Sequence, residues 1–382
     1  MKQILILGGG IGGLVVANKL RKKIGKEHKI ILIDKNDKHI YAPSFLWVME
    51  GKRNAEKIQK PLERLKRRGI GFVNEKVVKI EPEKNIVKTN KNDFNYDYLI
   101  ISLGAELVPE TIKGMTNAGH NLYQLDGVER LREDLKKFKG GKVVIVISSL
   151  PFKCPAAPYE AAFLLDEYFS KKRIRGETEI NIFTPETLPM PAAGLENGKI
   201  IKSMLESRNI NFTPEVQLVS VDPDKKELKF KEGKIVNYDM LIFVPPHQGP
   251  KVIKDSKLGN ESGWIPVDKN TLKTKYDNVF AIGDAVSITL DSGKPLSKAG
   301  VFAHLEAEVV AENIAAEING LNPNKKYDGQ AYCFLELGYG KSGFAGGNFY
   351  SKPAPMIKMK KPRRLWHWGK ILLEKYWFWR YF

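Results

Sequence analysis

The chain has 382 residues and a formal net charge of +18, from 62 lysines and arginines against 44 acids. At about 150 residues per domain this length allows two or three domains, and 42% hydrophobic with 28% charged residues describes a folded protein rather than a disordered one. Two cysteines exclude a disulfide scaffold, and no run approaches the roughly 20 apolar residues of a membrane-spanning helix.

Residues 4–7 are a short continuous apolar run, the pattern of a buried parallel strand. The run ends in glycines, not in a cleavage site, so it is not a signal peptide and the chain is expected to stay in the cytoplasm. Gly8, Gly10 and Gly13 follow with G-x-G-x-x-G spacing, and residues 14–20 read as a helix. A second apolar run over 30–33 ends in Asp34, 21 positions after Gly13 (34 − 13). Glycine lets a backbone approach a pyrophosphate. A helix N-terminus offers unpaired N–H groups, and an acid ending the second strand accepts ribose hydroxyls. A purely structural glycine turn would leave Asp34 unexplained. The pattern is that of a dinucleotide-binding Rossmann domain.

Residues 97–101 read as a strand running through Ser102 to a turn at Gly104. The strand over 142–147 is followed by residues 148–155, a loop with no glycine and two prolines, which lack the N–H that holds a phosphate. A helix over 159–169, a strand over 179–183 and a helix over 196–208 complete a second Rossmann-like unit without a nucleotide loop. Cys154 sits in that loop. A strand over 277–282 then ends in Gly283-Asp284, and a helix covers 301–318.

The loop Gly8–Gly13, the segment 97–105 and the segment 277–285 together resemble the three signatures of the two-dinucleotide flavoproteins, which include disulfide reductases and membrane quinone reductases. That resemblance implies FAD, held by Gly8, Gly10, Ile11, Gly12, Gly13, Asp34, Lys35, Ala42, Val78, Ser102, Gly104, Gly283, Asp284, Lys298 and Gly300. It puts Gly283 and Asp284 at the pyrophosphate and ribityl chain, and the Lys298 segment beside the flavin edge. The missing second glycine loop argues against NADH.

Residues 151–160 around Cys154 and 332–341 around Cys333 are similar to sulfide:quinone oxidoreductases and to flavocytochrome c sulfide dehydrogenase flavoprotein subunits, as are 42–47, 245–247 and 346–350. The implied chemistry is oxidation of sulfide at a Cys154/Cys333 redox pair. Electrons then pass through FAD to quinone, and sulfur leaves as polysulfide or sulfane sulfur. Two isolated cysteines can also be inert packing; the flanking motifs favour a redox pair over it. Lys153 and a helix starting at Cys154 are expected to favour the thiolate. Glu160 is a candidate proton carrier or a helix cap, and His247 a candidate base or a structural residue. Phe302, Phe334, Phe349 and Tyr350 are the candidate quinone lining. Residues 117–132 lack the third cysteine of many bacterial relatives, and no cysteine lies near 41–46, so FAD is expected to be non-covalent. No metal site is expected. The alternatives are an NADH:quinone oxidoreductase of the same fold and a non-catalytic flavin-bound membrane partner.

The tail changes character. Lys358, Lys360, Lys361, Arg363 and Arg364 precede a stretch in which eight of the last seventeen residues are aromatic. Tryptophan and tyrosine favour the membrane interface and basic residues favour anionic headgroups, so the tail reads as an in-plane anchor; a helix docked on its own domain or a dimer partner is the other reading. The high positive charge suits acidic lipid, nucleic acid or a small anionic substrate, and also occurs as a lysine-rich surface with no partner. No nucleic-acid module accompanies it. The expectation is a peripheral protein on the cytoplasmic side of the cell membrane, with a homo-oligomer left open.

The expected fold is α/β: two Rossmann-like three-layer domains, one for FAD and one degenerate, with a C-terminal membrane-associating segment. The FAD domain takes 1–105 and 250–320, the second domain 106–249, and the quinone-site and anchoring region 321–382.

Overall fold

The computed structural model describes residues 1–382. The apolar residues after Gln3 are sealed from water on both faces and form β1 (Gln3–Leu7), the central strand of a sheet. The chain turns at Gly8 into α1 (Ile11–Lys23), then β2 (Lys29–Asp34), the short α2 (Phe45–Met49), β3 (Gly71–Asn74) and β4 (Tyr98–Ile101). It then builds a second unit from β5 (His120–Asn121), α3 (Leu125–Lys137), β6 (Gly141–Ile147), α4 (Ala157–Lys171), β7 (Thr178–Phe183), α5 (Leu195–Glu206), β8 (Ile210–Thr213) and β9 (Met240–Val244). With β10 (Val279–Ala281) and α6 (Gly300–Ile318) it returns to the first. An antiparallel sheet of β11 (Gln330–Glu336), β12 (Ser342–Asn348) and β13 (Met356–Arg363) leads into α7 (Arg364–Tyr381).

The first sheet has the order β10-β4-β1-β2-β3 and the second β5-β9-β6-β7-β8, each parallel throughout. Both have the Rossmann-like arrangement expected from the alternating pattern. In the first, Leu7 pairs with Ile33 and with Ile101, so β1, β2 and β4 end level. Gly8, Asp34 and Ser102 therefore emerge side by side at the crevice where open α/β sheets bind ligands.

Helix α1 starts at Ile11, three residues before the sequence pattern suggests, because its first turn is glycine. A Cβ on Gly13 would stand 1.9 Å from the Gly8 carbonyl oxygen, so no side chain fits there. α1 lies against α6, and Lys19 reaches Glu308 and Glu312 at 3.5 and 3.2 Å.

Helix α7 has two working faces. His367, Lys370, Glu374, Trp377 and Tyr381 form a stripe at helical spacing that turns toward the protein, with Glu374, Trp377 and Tyr381 buried. Leu365, Trp368, Leu372, Tyr376 and Trp379 form the opposite stripe, and Trp379 is 75% exposed. The two readings of the tail are thus compatible: one face docks on the chain's own domain and the other is left apolar. No helix is long and apolar enough to cross a membrane.

Candidate active site

The dinucleotide loop is built where two helix N-termini meet. A Cβ on Gly300, the first residue of α6, would stand 2.4 Å from Cδ1 of Ile11, the first residue of α1. No side chain caps α1, and Gly10 and Gly104 face open space. Gly12 packs against Ser102, whose Oγ would lie 2.7 Å from an added Cβ. Asp34 accepts the Gly9 N–H at 2.6 Å and the Asn36 N–H at 2.7 Å, and burial raises its pKa. Lys35 and Ala42 are exposed beside this rim. Val78 comes four residues after Asn74, the register partner of Asp34, with its side chain half-exposed.

Gly283 and Asp284 cap the same crevice from β10. The Gly283 N–H donates to Glu306 at 2.7 Å, and Glu306, wholly enclosed, is pushed up to about 7. Asp284 Oδ1 is buried without a protein partner. Lys298 donates to the carbonyls of Asp284 and Val286 at 2.9 Å, stacks over Trp264 at 3.6 Å, and is lowered by burial to about 8. A bare glycine cradle, two converging helix dipoles and an orphaned acid oxygen fit a flavin dinucleotide.

The second unit has no such place. The first acid after β7, Glu186, lies three residues past the strand end and is hydrogen-bonded by Tyr159 of α4 and by Thr184 at 3.2 Å. The loop after β6 turns away: Ser148 donates to Val244, and the Cys154 N–H donates to the Lys298 carbonyl at 2.6 Å. The latter bond ties the cysteine loop to the Lys298 segment before α6.

Cys154 holds φ at 49°, a left-handed conformation that a cysteine adopts at some cost, and its carbonyl receives Tyr123 Oη at 3.0 Å and the Ala157 N–H at 3.0 Å. Both cysteines are free thiols. They share one environment: burial, the Glu160 charge and each other's proximity raise the Cys154 pKa, with Lys370 and the Ala157 N–H opposing. Cys333 is exposed at its surface yet crowded by protein, and is raised to about 11 by that crowding and by Glu160, with Lys370 opposing. The expectation of favoured thiolates is therefore corrected. α4 begins at Ala157, not Cys154, and Lys153 acts on Asp284 and His247 rather than on the thiols. Desolvation outweighs both.

Glu160 is buried and accepts the Glu336 N–H at 2.7 Å and Lys370 Nζ at 2.9 Å. Glu336 in turn takes Ser342 Oγ at 2.9 Å and His367 Nδ1 at 3.0 Å. His247 donates from Nδ1 to the Pro245 carbonyl, leaving Nε2 buried without a partner, and burial lowers its pKa to about 3. It is a neutral ring against Tyr123.

The four aromatic candidates do not form one lining. Phe302 and Phe349 meet edge to face at 4.9 Å in the first core, with Tyr350 against Tyr327. Phe334 belongs elsewhere, with Phe344 and Trp366 between β11, β12 and α7. Sequence reasoning missed Lys370, Glu336, Glu306, His39 and Trp377. His39 bridges the tail to the phosphate loop: Trp377 Nε1 donates to its Nε2 at 3.0 Å, and its Nδ1 donates to the Gly9 carbonyl at 2.9 Å. The one available signal was polar residues at helical spacing inside an otherwise aromatic tail.

Raised thiol pKa values have a direct readout. Iodoacetamide alkylation of Cys333 is expected to be slow at pH 7 and to accelerate up to about pH 11, where an ordinary cysteine levels off near 8.5. Mass spectrometry of the labelled peptide against pH checks this; a plateau below pH 9 would contradict it.

The pyridine nucleotide-disulphide oxidoreductase family model matches residues 2–303. A mitochondrial sulfide:quinone oxidoreductase of Dictyostelium discoideum is 33% identical over 356 residues, 89% of this chain and 76% of that protein. Its mouse counterpart is 28% identical over 365 residues, 92% and 79% of the two chains. The crystal structure of the sulfide:quinone oxidoreductase from Aquifex aeolicus superposes with a TM-score of 0.90 at 26% identity, covering 100% of this chain and 91% of that one. With its bare glycine loop and its cysteine loop tied to Lys298, this chain is a flavoprotein oxidoreductase that belongs to the sulfide:quinone oxidoreductase family.

Proposed function

We propose that the chain oxidises sulfide at Cys154 and Cys333 and delivers the electrons, through non-covalent FAD, to quinone at an anionic membrane surface. The observation that carries this is the common environment of the two thiols, 179 positions apart (333 − 154), between Glu160 and Lys370. The FAD would be held by the Gly8–Gly13 loop, Asp34, Ser102, Gly104, Gly283, Asp284, Lys298 and Gly300. When bound, it takes an electron pair from sulfur and passes it to quinone.

The reactive form of the pair is its disulfide. HS⁻ attacks one sulfur, the S–S bond breaks, a persulfide forms there and a thiolate remains on the other cysteine. Lys370, kept an ammonium by Glu160 and Glu336, steadies that thiolate, which burial otherwise disfavours. Glu160, whose charge acts on both thiols, serves as their proton carrier. His247 stays neutral and offers Nε2 as an acceptor. Quinone is assigned to the Phe334 group, next to Cys333 and against Gly369 of α7. The outer stripe of α7, with Lys358, Lys360, Lys361, Arg363 and Arg364 before it, suits a peripheral docking on anionic lipid.

Anaerobic Na₂S is expected to bleach the flavin absorbance, and a short-chain quinone to restore it. NADH is expected to do neither within the same time, because Glu186 is tied to Tyr159 and the loop after β6 offers no phosphate cradle. Fast bleaching by NADH with none by sulfide would overturn the proposal.

A further inference from the structure

Quinone reduction sets a proton requirement. Removing two electrons from HS⁻ gives sulfane sulfur and a proton; making quinol takes two electrons and two protons. The sum, HS⁻ + quinone + H⁺ → S⁰ + quinol, draws a proton from water at each turnover, and the lipid cannot supply it.

Buried ionisable groups lie between water and the site. At its outer end Lys171 and Lys52 are solvent-accessible, and both meet Glu167 of α4, Lys171 by a hydrogen bond and Lys52 at 3.7 Å. Lys52 also holds Glu50, at the C-terminal end of α2, at 2.9 Å. The side chains of Glu50 and Glu167 are only 4% and 3% exposed, and the Oε2 atom of each accepts no hydrogen bond, Glu167 Oε2 having Lys52 at 3.7 Å as an ion-pair neighbour. Buried carboxylate oxygens of this kind are satisfied by internal water, which also conducts protons. One turn before Glu50, Trp47 packs edge-on against His367 and under Lys370, and its Nε1 is likewise buried without a partner. His367 and Lys370 both meet Glu336, which lies two residues from Phe334 and so on the same face of β11.

We infer that Glu167 and Glu50 are the entrance of a proton relay that carries a proton from water at the Lys52–Lys171 surface to Glu336, beside the quinone. It rests on the proposed quinone reduction and adds the route by which that reaction takes its proton. Of the two quinol protons, one comes from HS⁻ and the other through this relay. The charge neighbours of Glu50 suit it to the task. Lys52 and Arg53 follow on its own segment, Glu167 faces it from α4 and Glu336 from β11, while Arg132 of α3 lies against Gly51 and Lys370, His367 and Glu374 come from α7. Burial, with Glu167 and Glu336, raises its pKa to about 7, so it exchanges protons at physiological pH.

The relay is read without sulfide, by mixing dithionite-reduced protein with short-chain quinone in stopped flow. In the wild type, flavin reoxidation is expected to slow as pH rises through about 7, where Glu50 loses its proton. In Glu50→Gln it is expected to be slower by about tenfold or more at pH 6 and to lose that inflection. Glu167→Gln, at the outer rim, is expected to show the same slowing in lesser degree. Both variants are expected to keep wild-type bleaching by sulfide. Wild-type rates and pH profiles in both would overturn the relay, and so would an equal slowing of the sulfide step. If Glu50→Gln does not hold flavin, Glu167→Gln decides alone. Bleaching of the wild type by sulfide tests the parent proposal separately.

Discussion

Cys154→Ser is expected to abolish reduction of the flavin by sulfide, by a factor of about 10³ or more, while leaving flavin content unchanged. A serine hydroxyl forms neither the disulfide that HS⁻ attacks nor a persulfide. The fold has little reason to suffer. Cys154 is tied to its surroundings through its backbone: its N–H to the Lys298 carbonyl, its carbonyl to Tyr123 and to Ala157. Serine keeps all three and meets the same left-handed φ. The measurement is anaerobic stopped flow at the flavin band with Na₂S. Dithionite, which needs no cysteine, provides the control and is expected to bleach both proteins alike. A serine variant bleached by sulfide at the wild-type rate would remove the cysteine pair from the reaction. It would leave a flavin protein of the non-catalytic kind, or one whose electrons come from elsewhere.

What could be read from the sequence was what is local in the chain. Gly8–Gly13 and Asp34 are legible because a strand, a tight turn and a helix follow in order, and the backbone requirement at Gly13 admits no other residue. That the loop after β6 has two prolines and no glycine was legible, although the contacts made around it were not. That Tyr159 and Thr184 would occupy Glu186 depends on two elements meeting only in the fold. Long-range assembly explains the other omissions. Lys370 is 210 positions from Glu160, and Trp377 is 338 from His39. The tail's composition signalled an interface without revealing which residues turn inward. The thiol expectation failed for another reason. A neighbouring lysine in sequence, Lys153, points at Asp284, and the cost of burying charge dominates. The four aromatics were grouped by motif proximity, yet β11 and β12 pair Phe334 with Phe344 and leave Phe349 beyond the strand end, against α6.

Removing α7 by truncation after Arg363 is expected to cost the protein its flavin and its sulfide reactivity, not only its membrane. A simple anchor could be cut away cleanly. This helix is expected to resist that, because its inner stripe contacts both the Glu160–Glu336 cluster and, through His39, the glycine loop. Lys370 is the cation between Glu160 and Glu336, and without it two buried carboxylates stand unpaired; breaking buried pairs of this kind costs about 3–5 kcal/mol. Trp377 holds His39, and His39 holds the Gly9 carbonyl of the phosphate loop. Glu374 receives Arg53 at 2.9 Å and Ser44 at 2.7 Å, fixing the segment after Tyr41. The opposite face should behave differently. Leu372→Glu with Trp379→Glu changes residues 62% and 75% exposed, and is expected to release the protein from anionic vesicles while sulfide still bleaches the flavin. Flavin-to-protein ratio after gel filtration, vesicle sedimentation and sulfide bleaching, measured on both variants, separate the two faces. A truncated protein that retains flavin and full sulfide bleaching would reduce α7 to an anchor. A double glutamate variant that still sediments with vesicles would place the membrane surface elsewhere.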